Sequence, residues 1–145
     1  MLTEKDYCDY DTCVALKELG YVGSRQECEC FGAYFNFGKD MFTDSLDNTE
    51  VGTNEYLRVP LYLAQKWLRE EKEVYVTVIP EYNEFVPTKG VKYRLEVAYW
   101  KDDEFGYETI EWLDEECPHT IITFDSYEEA LSEGLREAVK ILKDK

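Results

Sequence analysis

Five cysteines and one histidine are the residues of this chain best suited to nucleophilic or metal chemistry: Cys8, Cys13, Cys28, Cys30, Cys117 and His119. A structural zinc site draws its thiolates from closely spaced pairs, because two ligands must converge on one tetrahedral ion. The spacings here, C-x4-C and then C-x-C with His119 far along the chain, fit that pattern poorly, so no metal is expected. An odd cysteine count in a chain long enough to bury a core reads as reduced thiols rather than a disulfide framework. Cys117 and His119 could pair as nucleophile and base only if both projected from one face of a strand. A histidine leading into a strand is the simpler reading. The glycines form neither G-x-G-x-x-G nor a P-loop, and no serine sits in G-x-S-x-G. No cofactor and no catalytic residue is therefore expected. Carboxylate pairs are too frequent among 32 acids to single out an acid–base couple.

Charge is the strongest deviation of the composition. Sixteen basic residues against 32 acidic ones give a net charge of −16. Such a surface repels phosphate backbones and anionic lipid, which argues against direct nucleic-acid or membrane binding. The acids are unevenly placed. Between Lys101 and Arg136 lie 34 residues with twelve acids and neither Lys nor Arg. Asp102, Asp103, Glu104, Glu108, Glu111, Asp114, Glu115 and Glu116 are the dense part, interleaved with Phe105, Tyr107 and Trp112. Carboxylates closer than a Debye length, about 8 Å at physiological salt, repel one another, and an opposing basic surface relieves that. These eight residues are the candidate binding site, an acidic hairpin edge, and its partner would be a basic protein surface. Plain solvated charge at a hairpin end is the alternative.

The elements that must position these residues follow from periodicity. Val59–Val78 is the centre, a helix running straight into a strand. Pro60 suits a first helical turn, and Leu61, Ala64 and Leu68 fall on one stripe widened by Leu63 and Trp67. Gln65, Lys66, Arg69 and Glu70 form the wet side. The period then drops to two, with Val74, Val76 and Val78 alternating with Tyr75 and Thr77, and Pro80 reads as the stop. Asp9 or Asp11 can cap a first helix that ends at Gly20. A strand is expected from Glu29 to Phe37, and the polar stretch 40–56 reads as a long loop. The cleanest alternation, Val91 to Tyr99, is followed by an acidic turn, a strand over Tyr107–Leu113 and another over Thr120–Phe124. Ser126 and Glu129 form a capping box for a final helix with Tyr127, Ala130, Leu131, Leu135, Ala138 and Leu142 on its buried stripe. The expected architecture is α+β: a largely antiparallel sheet of about four to five strands, packed on one face by two to three helices.

Two segments together, P-L-Y-L-A-Q-K-W-L-R-E running into V-Y-V-T-V and S-Y-E-E-A-L-S-E-G-L-R-E-A-V, resemble a recurring type of small, uncharacterised protein of gut Bacteroides and their phages and prophages. The resemblance covers the central and final elements. It implies a mobile-element context and a small α+β domain, and it carries over no functional residues.

No linker or repeat divides the sequence, so residues 1–145 are expected to form one domain. No apolar run is long enough for a membrane span and the first residues lack signal-peptide order, so a cytoplasmic location is expected. The functional expectation is a small, acidic, non-enzymatic protein-binding module, with a self-associating assembly protein or a small enzyme of unidentified chemistry as alternatives. The thiol reading has a direct check: metal analysis of protein purified without chelator should find no stoichiometric zinc, and one zinc per chain would overturn it.

Overall fold

A computed structural model describes residues 4–22, 32–35, 40–42, 55–81, 91–100, 107–111 and 122–144. After a single 3-10 turn at Glu4–Asp6, helix α1 spans Tyr10–Glu18. Asp9 starts it: its backbone is extended and its carboxylate accepts the Thr12 amide at 2.8 Å, satisfying one of the orphan donors of a first turn. Gly20 ends it at φ 104°, where a side chain would be strained. Its amide bonds to the Lys17 carbonyl and that of Tyr21 to the Leu16 carbonyl, the two bonds of a Schellman motif.

Strands β1 (Gly32–Phe35), β2 (Asp40–Phe42) and β3 (Glu55–Leu57) form one antiparallel sheet in the order β2-β1-β3. Helix α2 spans Leu61–Lys72 and buries Leu61, Ala64 and Leu68, the expected stripe. Trp67 is partly buried against the core, edge-on to Tyr21 with centroids 5.5 Å apart. Glu73 closes the helix in the left-handed region at φ 54°, and the chain reverses directly into β4, Val74–Glu81. Strands β5 (Lys92–Trp100) and β6 (Tyr107–Glu111) complete a second antiparallel sheet, ordered β4-β5-β6. Helix α3, Tyr127–Lys143, begins with Ser126 accepting the Glu129 amide at 3.1 Å, as the capping-box pattern requires.

Alternation decides which face of the second sheet is covered. Val76 pairs with Val97 and Val78 with Leu95 across β4 and β5, and Val74, Val76, Leu95 and Val97 are buried. They join Leu16, Val59, Leu68, Leu135 and Ala138 in one core. Gly134 explains how closely α3 lies on that face: a methyl group there would overlap Val76 Cγ1 and come within 2.7 Å of Leu95 Cδ1.

The single sheet of about four to five strands does not form among the described residues. Their strands divide into two three-stranded sheets, and the helix-backed face rests on just two antiparallel strands, β4 and β5, with three helices. The α+β class stands. The reason is pairing, which periodicity does not encode. β1 takes its partners from short strands at the two ends of 40–56, rather than from the later strands. Residues 43–54, which the loop expectation also covered, lie outside the described residues. Pro80 does not stop β4, which continues to Glu81. The expected strand over Thr120–Phe124 is seen as one bridge, in which Phe124 and Tyr93 exchange both backbone bonds, with residues 112–121 undescribed.

Gly134→Ala is the sharpest test of this packing. Helix propensity alone favours alanine by about 1 kcal/mol. Overfilling a packed site costs about 1–3 kcal/mol. The variant should therefore be less stable by urea denaturation, and a stabilised variant would refute the close approach.

Candidate functional site

The chemistry-bearing residues of the first segment turn out to be structural. Cys8 and Cys13 are free thiols buried in the core, and the Cys13 Sγ donates a weak, 3.8 Å bond to the Cys8 carbonyl. The Cys8 amide bonds to the Val59 carbonyl at 2.8 Å and Tyr7 bridges Pro60, so this stretch is stitched to the start of α2. Among the described residues no group of three His, Cys, Asp or Glu side chains could hold a metal ion. Cys28, Cys30, Cys117 and His119 lie outside those residues.

Between the two thiols, Asp9 does more than cap α1. Its second oxygen accepts the Arg136 guanidinium of α3 at 2.9 and 3.2 Å, and Arg136 also bonds to Glu133. Burial pushes the Asp9 pKa up, but the Thr12 side-chain and backbone hydrogen bonds and the Arg136 cation outweigh it and hold the carboxyl below its ordinary value. The Asp9 hydrogen bond in turn raises the Arg136 pKa. At the far end of the same helix pair, Lys143 pairs with Glu18. These contacts seat α1 against α3.

Of the acidic edge, the described residues include two members. Glu108 and Glu111 lie in β6, the outer strand of its sheet among the described residues, in register with Tyr99 and Glu96 respectively. Three residues apart in a strand, they occupy register positions of opposite parity. Glu111 is the register partner of Glu96. Arg94 bonds to Glu96 at 3.1 Å and to Glu81 at 2.7 Å on the outer face. Asp102, Asp103 and Glu104 fall in the connection between β5 and β6, and Asp114, Glu115 and Glu116 follow the other end of β6. All six are outside the described residues.

The opposite edge of this sheet holds what sequence reasoning missed. Tyr93 spends its main-chain groups on Phe124, away from β4, so its partner Pro80 also faces away from β5. By the same parity Val74, Val76 and Val78 turn their main-chain groups to the edge that carries no strand among the described residues. Pro80 thus loses no ladder bond, which is the placement proline tolerates in a sheet. The Val76 carbonyl is taken by Gln65 Nε2 of α2 at 2.7 Å. A groove of about 220 Å3 runs beside this edge, lined by Gln65 and Arg69 of α2, residues 75–78 of β4, and Tyr127 of α3. The available signal was Gln65 and Arg69 at i and i+4 on the wet side of α2, beside a strand containing a proline.

No family model, no curated protein and no solved structure matches this chain. Among the described residues, no helix is long and apolar enough to cross a membrane.

The capping carboxylate has a definite pH signature. A folded-state pKa below the unfolded one means stabilisation that is complete above the unfolded value and is lost as pH falls through the folded one. Asp9→Ala should therefore lower stability by about 1 kcal/mol at neutral pH. The difference from the unsubstituted chain should shrink in acid. Urea denaturation at both pH values reads it, and a difference that persists unchanged in acid would contradict the assignment.

Proposed function

We propose that the chain is a non-enzymatic protein-binding module whose acidic sheet edge docks a basic protein surface. The observation that carries this reading is the position of β6. Among the described residues it is the outer strand of its sheet, it contains Glu108 and Glu111, and acidic residues flank it in sequence on both sides. A strand already held in a sheet has little backbone left to order, so little ordering entropy opposes docking there. Electrostatic complementarity of this kind contributes orientation and association rate more than raw affinity, which suits a reversible partner. In a mobile-element protein, the context the resemblance implies, the basic surface would belong to a host nucleic-acid-binding protein, with the carboxylates standing in for phosphates.

Assembly through sheet edges is less well supported. Charged side chains on an edge strand oppose strand-to-strand pairing, and on the other edge Pro80 removes a donor while Gln65 occupies an acceptor, which leaves a window too short for stable self-assembly. Enzymatic chemistry has no convergent set of groups among the described residues to recommend it.

The test must separate a docking site from bulk charge. A fluorescent lysine- and arginine-rich peptide serves as the probe, in low and high salt. Neutralising Glu108, Glu111, Glu115 and Glu116 to Gln should weaken its binding at least about tenfold, equivalent to about 1.4 kcal/mol. A control that neutralises Glu70, Glu71, Glu137 and Asp144, an equal change of charge elsewhere, should leave affinity nearly unchanged. Equal losses in both variants would show that only net charge matters.

A further inference from the structure

We infer that the edge of β4 that no strand covers among the described residues is a second interaction surface, which adds an extended peptide bearing a single carboxylate as an extra strand, with Arg69 receiving the acidic side chain. This rests on the β4 edge alone and is independent of the acidic edge on β6.

Main-chain geometry comes first. Val76, Val78 and Pro80 direct their backbone groups away from β5, and Gln65 occupies the Val76 carbonyl. Among the described residues the Val78 amide and carbonyl have no hydrogen-bond partner. An incoming strand thus finds an alternating window that runs from the Val76 amide through Val78 to the Pro80 carbonyl. Strand addition draws its affinity from such main-chain bonds and its specificity from pockets for alternate side chains.

The groove supplies those pockets. At about 220 Å3 it is smaller than the ~300 Å3 at which small-molecule clefts begin. It is bounded along its length by a strand edge, a shape that fits a short extended chain. Tyr75 and Tyr127, which line the groove, are 38% and 42% exposed.

Charge selects the occupant. In a chain with twice as many acids as bases, Lys92, Arg94, Arg136 and Lys143 are all engaged by carboxylates. Arg69, exposed and lining the groove, forms no ion pair among the described residues. Its planar fork suits bidentate recognition of a carboxylate. The net charge of −16 disfavours a polyacidic segment at this surface, so one carboxylate among neutral residues is the matching chemistry. The short pairing window makes this a weak, reversible contact.

The experiment titrates the 15N-labelled full chain with a capped pentapeptide of alternating threonine and valine carrying a central glutamate. A second peptide with lysine at the centre is the comparison. Amide shifts should centre on Val76, Thr77, Val78 and Ile79 with the Arg69 side chain, and the lysine peptide should bind at least about tenfold more weakly. Arg69→Gln should erase that preference. Val78→Pro, at a position whose amide serves no ladder bond, should abolish binding while the spectrum stays folded. Should that variant fail to fold, Arg69→Gln decides. Absence of shifts along β4 at millimolar peptide, or an unchanged preference in Arg69→Gln, would overturn the proposal.

Discussion

The seating of α3 on the β4–β5 pair is the constraint from which the rest follows. With no side chain at Gly134, Val76 and Leu95 reach into the space a methyl group would fill, and the helix settles on the sheet at short range. Burying residues such as Leu95, Leu135 and Val97 stabilises by about 1.5–3 kcal/mol each. The exposed ion pairs Arg136–Asp9 and Lys143–Glu18 contribute roughly 0–1 kcal/mol apiece. Core packing therefore sets where α1 and α3 lie, and the charges refine the orientation. Once the covered face is fixed, so is the outer face with its Glu81–Arg94–Glu96 cluster, and so are the two edges.

Those edges differ in chemistry. On one side lies β6, which carries Glu108 and Glu111 within an acid-rich part of the sequence. On the other, α2 leans over β4, contributes Gln65 to one backbone carbonyl, and leaves Arg69 beside a narrow groove. Each edge carries a device against indiscriminate pairing: charge on β6, and a proline with a side-chain cap on β4. A three-stranded sheet protected in this way can offer its rims to selected partners without aggregating through them. That view joins the proposed docking function to the second surface without requiring a catalytic centre.

Much of this was legible in the residues, and the illegible parts have physical causes. Asp9, Ser126 and Gly20 announced helix limits because capping is local chemistry, and the Val74–Val78 and Val91–Tyr99 alternations named their buried face. Pairing was not legible. The partners of β1 are strands of only three residues within a largely polar stretch, too short for alternation to show, and hydrogen bonding to a neighbour outweighs weak intrinsic propensity. Pro80 was misleading for a related reason: whether a proline ends a strand depends on which way its missing donor faces, and register decides that. The cysteines at 8 and 13 show the converse, since reactive residue types become inert core once packed. The acidic cluster was visible at once from composition. That Glu108 and Glu111 take opposite register parity, and that Glu111 opposes Glu96, needed the β5–β6 register.

The most direct test of the two-edged sheet is residue-resolved amide hydrogen exchange along β4. The register predicts alternation: Tyr75, Thr77 and Ile79, bonded to β5, should be strongly protected, whereas Val76 and Val78 should exchange much faster. Uniform protection along the strand would show that the β4 edge is covered, and the reversed alternation would show that the register is shifted by one residue. Either result would contradict the account.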